Sequence, residues 1–376
     1  MVRISAVGDV SLRTESYPFQ EVQEIFLESD ISIANLETVI SNRKESSPEK
    51  SVILDSDPTN LQYLSQSGID LVNIANNHIL DKGIPGLEDT VSNLSDCDIE
   101  YIGGSSSKKY NKFEIDGVDI GFAGFTESTG FGRLPKKDIL DTIIQNKRFI
   151  TGRTNVLQRN HAISEINTIN EDVVHDMTEK IDEECDLSVI SLHWGVENVR
   201  YPSPWQVEFA RSLIDHGADV ILGHHPHILQ GIEEYNNGLI CYSLGNFQFN
   251  PDISKSPDDR SVIVNICLDK SGYNEFDLIP VRILNSKPNI IHDSNDTIQL
   301  SKDMENYSAN LSGGKEYDYP WWFRNIGGTY LKDNIKSYRE RIRKFGLAHA
   351  LELLVWLFMP FTVRSALGYI RDLLYD

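Results

Sequence analysis

A cluster of three histidines is the densest group of potential metal ligands in this 376-residue chain. It reads Gly223-His224-His225-Pro226-His227 and follows the apolar run 218–222, whose composition predicts a buried strand. Buried imidazoles need partners for both ring nitrogens, and a metal ion is the simplest partner. In an extended segment His225 and His227 would face one side and are the predicted ligands, while His224 would point elsewhere. The alternative interpretation is a solvated polar loop.

Other side chains of ligand type follow further predicted strands. In open α/β sheets, functional groups gather at the carboxyl ends of strands. The residues predicted at such ends are Asp9, Glu37, Asn77, His78, His193, His225 and His227. Because they belong to five separate strand ends, we expect one convergent site.

Carboxylate, amide and imidazole groups together make a mixed oxygen and nitrogen ligand set. Such a set suits Mn²⁺, Fe or Zn²⁺ better than Ca²⁺ or an all-thiolate zinc site. Six ligands can hold two ions roughly 3.5–4 Å apart, and the predicted ones are Asp9, Glu37, Asn77, His193, His225 and His227. Water bound there would lose a proton near neutral pH, and the hydroxide would attack phosphorus without a serine or cysteine nucleophile.

Strand and helix patterns alternate along the chain and predict an α/β fold. The predicted strands are 4–7, 31–34, 69–75, 100–104, 187–192, 218–222, 239–249 and 261–268. The predicted helices are 19–27, 58–67, 87–94, 165–184 and 204–216. A hairpin is predicted over 113–125 with its turn at Asp116-Gly117, followed by a long insertion over 126–160.

The composition excludes some classes of partner. A formal net charge of −21 argues against non-specific binding to nucleic acid or to anionic lipid, which a basic face would support. Four cysteines without C-x-x-C spacing favour structural thiols over a zinc or disulfide framework. The first residues already have a strand pattern and no signal-peptide pattern, so we expect a cytoplasmic protein.

The last ninety residues differ from the rest. Residues 286–318 are polar and predict a poorly packed extension, and the aromatic cluster 319–323 is expected to dock on the core or on a partner. Residues 347–374 are strongly apolar but interrupted by Pro360, which predicts packed terminal helices or a peripheral membrane or protein contact rather than a transmembrane span. The predicted division is 1–285, 286–345 and 346–376.

Six motifs, in their order and spacing, resemble the CapA-type poly-γ-glutamate capsule synthesis family, a branch of the calcineurin-like metallophosphoesterases. They are Gly8-Asp9, Asn35-Leu36-Glu37, Asn76-Asn77-His78, His193-Trp194-Gly195-x-Glu197, Gly223-His224-His225-Pro226-His227 and Tyr242-Ser243-Leu244-Gly245-Asn246-Phe247. The resemblance covers roughly residues 2–250. It implies a four-layer α/β/β/α sandwich with a two-metal site between strand ends, followed here by a C-terminal helical extension.

The resemblance also implies a role for each residue. Asp9 and His227 would bind the first ion, Asn77, His193 and His225 the second, and Glu37 would bridge them. His78 would be the general acid that protonates the leaving oxygen. Glu197 would orient water or substrate, with a helix-capping or surface role as the alternative.

Two departures from the superfamily pattern affect the metal site. The superfamily has a histidine two residues after the first aspartate, where this chain has Ser11, so the first site is expected to be weaker and a single-metal enzyme is an alternative. An extra residue also separates Gly223 from the His-x-His pair. Whether His224 or His225 binds the metal therefore stays open, although the same-face argument favours His225.

The implied function is a metal-dependent hydrolase acting on a phosphoester or related anionic ester, linked to the synthesis of an anionic cell-surface polymer. The substrate would be an anionic small molecule or polymer. One alternative is a non-catalytic assembly factor that uses Trp321, Trp322 and the apolar tail to bind a synthase complex. Another is an amidase or ligase acting on γ-glutamyl bonds with the same metals.

Overall fold

The computed structural model describes residues 1–44, 46, 52–104, 110–127, 166–250, 256, 258–312, 317–318, 321–322 and 324–326. The strands are β1 (Val2–Val10), β2 (Ile31–Leu36), β3 (Val39–Ile40), β4 (Asp55–Ser56), β5 (Leu71–Asn73), β6 (Glu100–Ile102), β7 (Asn111–Ile115), β8 (Val118–Thr126), β9 (Leu187–His193), β10 (Val220–His224), β11 (Ile232–Tyr235), β12 (Gly238–Cys241), β13 (Asn246–Gln248), β14 (Arg260–Asp269), β15 (Gly272–Leu284) and β16 (Lys287–Ile290). The helices are α1 (Gln23–Leu27), α2 (Leu61–Ser67), α3 (Gly83–Asp96), α4 (Glu171–Glu184), α5 (Pro204–Asp215) and α6 (Ser294–Ser312), with a 3₁₀ turn at Pro58–Asn60.

Two large mixed sheets form the described structure. The first has the order β16-β15-β14-β1-β2-β5-β6, with β13 also beside β1, and the second has the order β11-β12-β10-β9-β8-β7. Strands β1, β2, β5 and β6 run parallel in the first sheet, and β8, β9, β10 and β12 run parallel in the second. Parallel strands are buried on both faces, which is why they appear in the sequence as continuous apolar runs.

Three apolar clusters make up most of the core. The first contains residues of both sheets, for example Ile33 of β2 and Val189 of β9. The second joins the first sheet to helices α1 to α3, through residues such as Phe26 and Leu87. The third joins the second sheet to α4 and α5, and it includes Leu213. The chain is therefore a mixed α/β structure in which helices cover sheets.

Several predicted elements have different bounds. The predicted helix 19–27 begins only at Gln23, and the predicted helix 165–184 begins at Glu171, where the Asn170 side chain accepts a hydrogen bond from the Asp172 amide and caps the helix. The hairpin turn at Asp116-Gly117 is confirmed, and both of its residues have a positive φ, as a tight two-residue turn requires.

The predicted single strand 239–249 is wrong in one respect: it is two strands in different sheets. Strand β12 lies in the second sheet, whereas β13 pairs with β1 in the first. The chain changes sheets at Gly245, whose φ of +67° lies in the left-handed region. An apolar pattern cannot reveal this crossing because residues on both sides of it are buried.

The expected poor packing of residues 286–318 is also wrong. Strand β16 pairs with β15, and Leu300 and Met304 of α6 belong to the cluster shared by the two sheets. Few apolar residues anchor α6, so its polar surface dominates the composition. The predicted boundary at residue 285 falls in the turn between β15 and β16, and the three-part division itself stays a prediction.

Several predicted segments lie partly or wholly outside the described residues, among them positions 313–316 of the polar extension and positions 319, 320 and 323 of the aromatic cluster. The insertion 126–160 is described only at Thr126 and Glu127, and the apolar stretch 347–374 is not described at all. Among the helices that the structure does describe, none has the length and apolar character needed to cross a bilayer.

Candidate metal centre

The carboxyl ends of strands from both sheets meet at one place. Asp9 lies near the end of β1, and Glu37 directly follows β2. His193 and His224 are the last residues of β9 and β10, where they stand opposite each other in register. Parallel strands that end at one edge therefore bring together ligands from distant parts of the sequence.

Two glycines of the predicted motifs permit this close packing. A Cβ atom on Gly8 would lie 1.9 Å from the backbone oxygen of Gly245, and one on Gly223 would lie 2.0 Å from that of Tyr242. No side chain fits at such distances. The glycines that precede Asp9 and His224 therefore let neighbouring backbone segments approach directly.

Among the described residues, three overlapping groups of side chains have the geometry of a metal site. Within each group the ligand atoms lie within 4.8 Å of one another. The groups are Glu37, His193 and His225; Asp9, Glu37 and His227; and Glu197, His225 and His227. Because Glu37, His225 and His227 each belong to two groups, the three groups form one continuous centre.

The two carboxylates face histidines at short distances. Glu37 Oε1 is 3.3 Å from His193 Nε2, and Asp9 Oδ2 is 3.2 Å from His227 Nδ1. Both carboxylates are fully buried. The other oxygen of Asp9 accepts a hydrogen bond of 2.8 Å from the Asn35 side-chain amide, which fixes the orientation of the carboxylate.

Burial and neighbouring charges shift the pKa values of these groups. Burial raises the pKa of Glu37 and the charge of Asp9 adds to the effect, although His227 opposes it. Burial would also raise the pKa of Asp9, but His227, His224 and His193 together hold it below the usual value. Burial would lower the pKa of His227, yet Glu37 and Asp9 raise it above normal. The negative charge of Glu37, unlike that of Asp9, is therefore costly at this centre unless a further cation lies nearby.

The residues fit a divalent cation. Among the described residues, neither oxygen of Glu37, nor Oδ2 of Asp9, nor either ring nitrogen of His224 has a hydrogen-bond partner. Buried polar atoms without such partners are rare and call for another explanation. A set of carboxylate oxygens and imidazole nitrogens is the donor chemistry of Mn²⁺, Fe and Zn²⁺ sites.

The backbone of the histidine cluster differs from the predicted extended segment. Strand β10 ends at His224, and His225 and His227 adopt positive φ values of 96° and 60°. The argument that His225 and His227 face the same side of an extended segment is therefore wrong, because the alternation of side chains in a strand does not apply to this turn. The His225 ring nevertheless lies close to the rings of two other predicted ligands, with centroid distances of 4.5 Å to His193 and 5.8 Å to His227.

The expectation that His224 points elsewhere is wrong. Its Nδ1 lies 3.7 Å from Oδ1 of Asp9, and the ring is buried. Burial, together with the neighbouring His193, lowers the pKa of His224 to about 4, although Asp9 opposes this. All three histidines of the cluster therefore lie at the centre.

The turn after β5 carries Asn77 and His78. Asn76 donates a hydrogen bond to the backbone oxygen of Leu36 and accepts one from the His78 amide, which ties this turn to the end of β2 beside Glu37. Asn77 is half-buried in the same turn. The His78 side chain is 12% exposed and its Nδ1 lies 2.7 Å from Oδ2 of the buried Asp81.

The comparisons with known proteins assign the chain to a family. Residues 3–251 match the model of the bacterial capsule synthesis protein PGA_cap. The chain belongs to this family. The PGA_cap family is part of the metallophosphoesterase-like superfamily, as the resemblance predicted.

Two relatives named for PGA or capsule biosynthesis agree with this assignment. The PGA biosynthesis protein CapA of Bacillus subtilis is 29% identical over 72% of this chain, and the chain spans 66% of that protein's length. The capsule biosynthesis protein CapA of Bacillus anthracis is 28% identical over 87% of this chain and 74% of its own length. A hypothetical protein of Thermus thermophilus resembles the structure with a TM-score of 0.42 at 13% identity, covering 74% of this chain and 98% of that one.

Some residues of this PGA_cap centre escape prediction from the sequence. Asp81 contacts His78, and Asn35 holds Asp9. Asn246 Oδ1 lies 3.0 Å from His227 Nδ1, a contact for which the sequence offers only the presence of Asn246 in the last of the six motifs. The spacing His-x-x-Asp is the one signal that could have indicated Asp81, since a turn can bring residues three apart into contact.

Ser11 lies where the wider superfamily has a histidine. It is buried, and both its amide and, at 3.5 Å, its hydroxyl donate to the backbone oxygen of Gln248. Ser11 therefore takes part in pairing with β13. It brings no imidazole to the PGA_cap centre.

Proposed function

We propose that this chain is a metal-dependent hydrolase of the phosphoesterase type that acts in the synthesis of a capsule polymer. The observation that carries the proposal is Glu37, a buried carboxylate with no hydrogen bond that faces His193 and His227. Burying a carboxylate in that position for a structural purpose alone would cost folding free energy, because it has no hydrogen-bond partner among the described residues. A carboxylate that bridges cations would be stabilised by them.

The proposed ligands are those expected from the sequence. Asp9 and His227 would hold one divalent ion, Asn77, His193 and His225 a second, and Glu37 both. A cation bound there would acidify a water molecule and counter the charge of an anionic ester. With a net charge of −21, the chain itself would otherwise repel such a substrate.

His78 would serve as the general acid. The Asp81 oxygen that contacts His78 Nδ1 also accepts a hydrogen bond from the Leu54 amide, which supports an ionised, accepting carboxylate. Nδ1 of His78 then donates to Asp81, and Nε2 is left to carry the proton for the substrate. In the reaction, an oxygen derived from water bonds to phosphorus and the bond to the leaving oxygen breaks. His78 gives its proton to that leaving oxygen.

The fold that we propose for this function is the four-layer α/β/β/α sandwich of the superfamily. The apolar clusters support it, because one contains residues of both sheets and the other two join each sheet to helices.

The test is turnover of aryl phosphates and phosphodiesters by the purified chain with Mn²⁺. We expect His78→Ala and Asp81→Asn to lose activity while metal content stays at the wild-type value, because neither residue is a proposed ligand. For Asp81→Asn we expect a loss of about 10- to 100-fold, as for other residues that orient a functional imidazole. Wild-type protein that binds metal but hydrolyses no ester in a broad panel would contradict the proposal.

One relative supports a second candidate, a non-catalytic accessory role. A protein of Mycobacterium tuberculosis named a probable polyglutamine synthesis accessory protein is 27% identical over 58% of this chain. Trp322, however, is fully buried against its own chain and cannot contact a synthase in this conformation. Release of glutamate from poly-γ-glutamate in the same assay would instead identify an amidase.

A further inference from the structure

We infer that Glu197 is a ligand of the metal centre and that a C-terminal aromatic segment holds it in place. The aromatic segment consists of the described residues 317–318, 321–322 and 324–326. The inference rests on the metal centre of the proposed function but not on hydrolysis. It replaces the expectation that Glu197 orients water or substrate.

The position of Glu197 supports direct coordination. It lies in the loop that leaves β9 directly after His193, and its carboxylate belongs to a metal-compatible group with His225 and His227. It does not cap helix α5, because Ser203 is the capping residue there. The carboxylate is half-buried, so part of its hydration is already lost before a cation binds.

The first ion lacks a ligand that Glu197 could supply. Asp9, Glu37 and His227 form one metal-compatible group, and Ser11 adds no imidazole to it. Glu197 approaches from the side of His227, which belongs to this group as well. A carboxylate is an appropriate replacement for an imidazole at a Mn²⁺, Fe or Zn²⁺ ion.

The Glu197 loop is fixed to the histidine turn on its inner side. The Asn198 amide donates to the backbone oxygen of Pro226 at 2.8 Å, and the Gln230 side chain donates to that of Val199 at 2.7 Å. These bonds link the residues that follow Glu197 to the chain around His227. They set the distance between Glu197 and the two rings.

The aromatic segment fixes the outer side of the same loop. Trp322 Nε1 donates to the backbone oxygen of Tyr201 at 2.8 Å, and the Tyr317 hydroxyl donates to that of Pro202 at 2.7 Å. Trp322 also forms a small buried cluster with Ile326 and with Val196 and Val199, which flank Glu197 in the loop. Trp322 is therefore a positioning residue, and the segment expected to dock on the core docks beside the metal centre.

The primary experiment measures Mn²⁺ affinity and stoichiometry of the full chain by calorimetry and metal analysis. We expect Glu197→Gln to weaken binding at least about 10-fold or to reduce the number of bound ions. Glu208→Gln is the matched control, because Glu208 is an exposed glutamate on α5 and its change alters the net charge equally. Equal affinity and stoichiometry in wild type and Glu197→Gln would overturn the inference.

A second variant tests the positioning role without removing a ligand. Trp322→Phe keeps an apolar ring but loses the bond to Tyr201, and we expect Mn²⁺ affinity to fall by a smaller factor than in Glu197→Gln. Trp205→Phe is its control, because that indole donates to Glu171 on α4 instead of to the loop. If Trp322→Phe lowers the melting temperature but leaves affinity unchanged at a temperature where it is folded, the positioning role is wrong.

The two proposals fail separately. Weak metal binding by Glu197→Gln together with an inactive wild type would retain the ligand and reject the hydrolase. An active wild type whose metal binding does not depend on Glu197 would retain the hydrolase and reject Glu197 as a ligand.

Discussion

Glu37 and Glu233 are both buried glutamates, but their surroundings differ. Glu233 is 5% exposed and its two oxygens receive hydrogen bonds from Arg211 and from the Tyr242 hydroxyl. Glu37 is fully buried, receives no hydrogen bond from the described residues and faces histidines together with a second carboxylate, Asp9. Glu233 is therefore held by an arginine and a hydroxyl of the chain itself, whereas the described residues offer Glu37 only neighbouring imidazoles.

This difference separates a carboxylate with a structural role from the proposed bridging ligand. Arg211 also donates to the backbone oxygen of Leu311, so the Glu233 pair connects α5 to the end of α6. Its removal should affect folding. Glu37 contacts no permanently cationic side chain among the described residues that would explain its burial, so its removal should affect metal binding.

The largest expected effect is on activity. Glu37→Gln should bind far less Mn²⁺ and lose about 1000-fold or more in kcat/KM, which corresponds to about 4 kcal/mol, because it removes the proposed bridging ligand. Glu233→Gln should keep both metal content and kcat/KM. Steady-state kinetics and metal analysis measure kcat/KM and metal content. A Glu37→Gln variant that binds its full metal content and stays active would contradict the distinction between Glu37 and Glu233.

The next effect concerns stability, and here Glu233→Gln should be the more strongly affected variant. Glu233→Gln should lower the free energy of unfolding by about 2–3 kcal/mol, because Arg211 loses its ion pair while remaining about two-thirds buried. Metal-free Glu37→Gln should not be destabilised at neutral pH, since no strong bond is lost and a neutral amide replaces a carboxyl group whose pKa is raised by burial. Denaturant titration in the presence of a chelator gives both values. Equal destabilisation by the two variants would count against the comparison.

Metal binding should also stabilise only chains that keep Glu37. At a free Mn²⁺ concentration of about 100 times Kd, the wild type and Glu233→Gln should gain about 2.7 kcal/mol. Glu37→Gln should gain little at the same concentration. Thermal unfolding with and without Mn²⁺ tests this, and a similar gain in Glu37→Gln would place the cation elsewhere.

The smallest expected effect is a change in pH dependence. Burial and Asp9 raise the pKa of Glu37 from 4.5 to about 8, so between these values the folded metal-free chain keeps a proton that the unfolded chain has lost. Stability of the metal-free protein should therefore fall as pH rises through this window. Glu37→Gln should flatten that part of the profile and Glu233→Gln should retain it. If the stability of Glu37→Gln falls with rising pH as steeply as that of the wild type, the proton belongs to another group.

The sequence predicts the strand-end residues well because their strands have distinctive apolar patterns. Asp9, Glu37 and His193 all lie at the predicted edge for this reason. The pattern does not extend into turns. The positive φ of His225 and His227 and the contact between His78 and Asp81 depend on turn geometry and tertiary packing.

The same limit explains the errors in the fold. The change of sheets at Gly245 joins two buried strands, so hydrophobicity gives no sign of it. Helix α6 buries Leu300 and Met304 while most of its surface is polar, and its composition therefore resembles that of a loop. The aromatic segment is conspicuous in the sequence, but only the fold reveals that Trp322 contacts the loop of Glu197.

The pairing of β1 with β13 has a consequence for biosynthesis. Asp9 leaves the ribosome long before Asn246, its partner in register, which emerges only after most of the two sheets has been translated. Closing such a long loop is slow and entropically costly, so the β1–β13 pairing beside the centre can form only late in translation. The complete set of proposed ligands, from Asp9 to His227, could therefore hold a cation only after the chain through β13 has been made and folded.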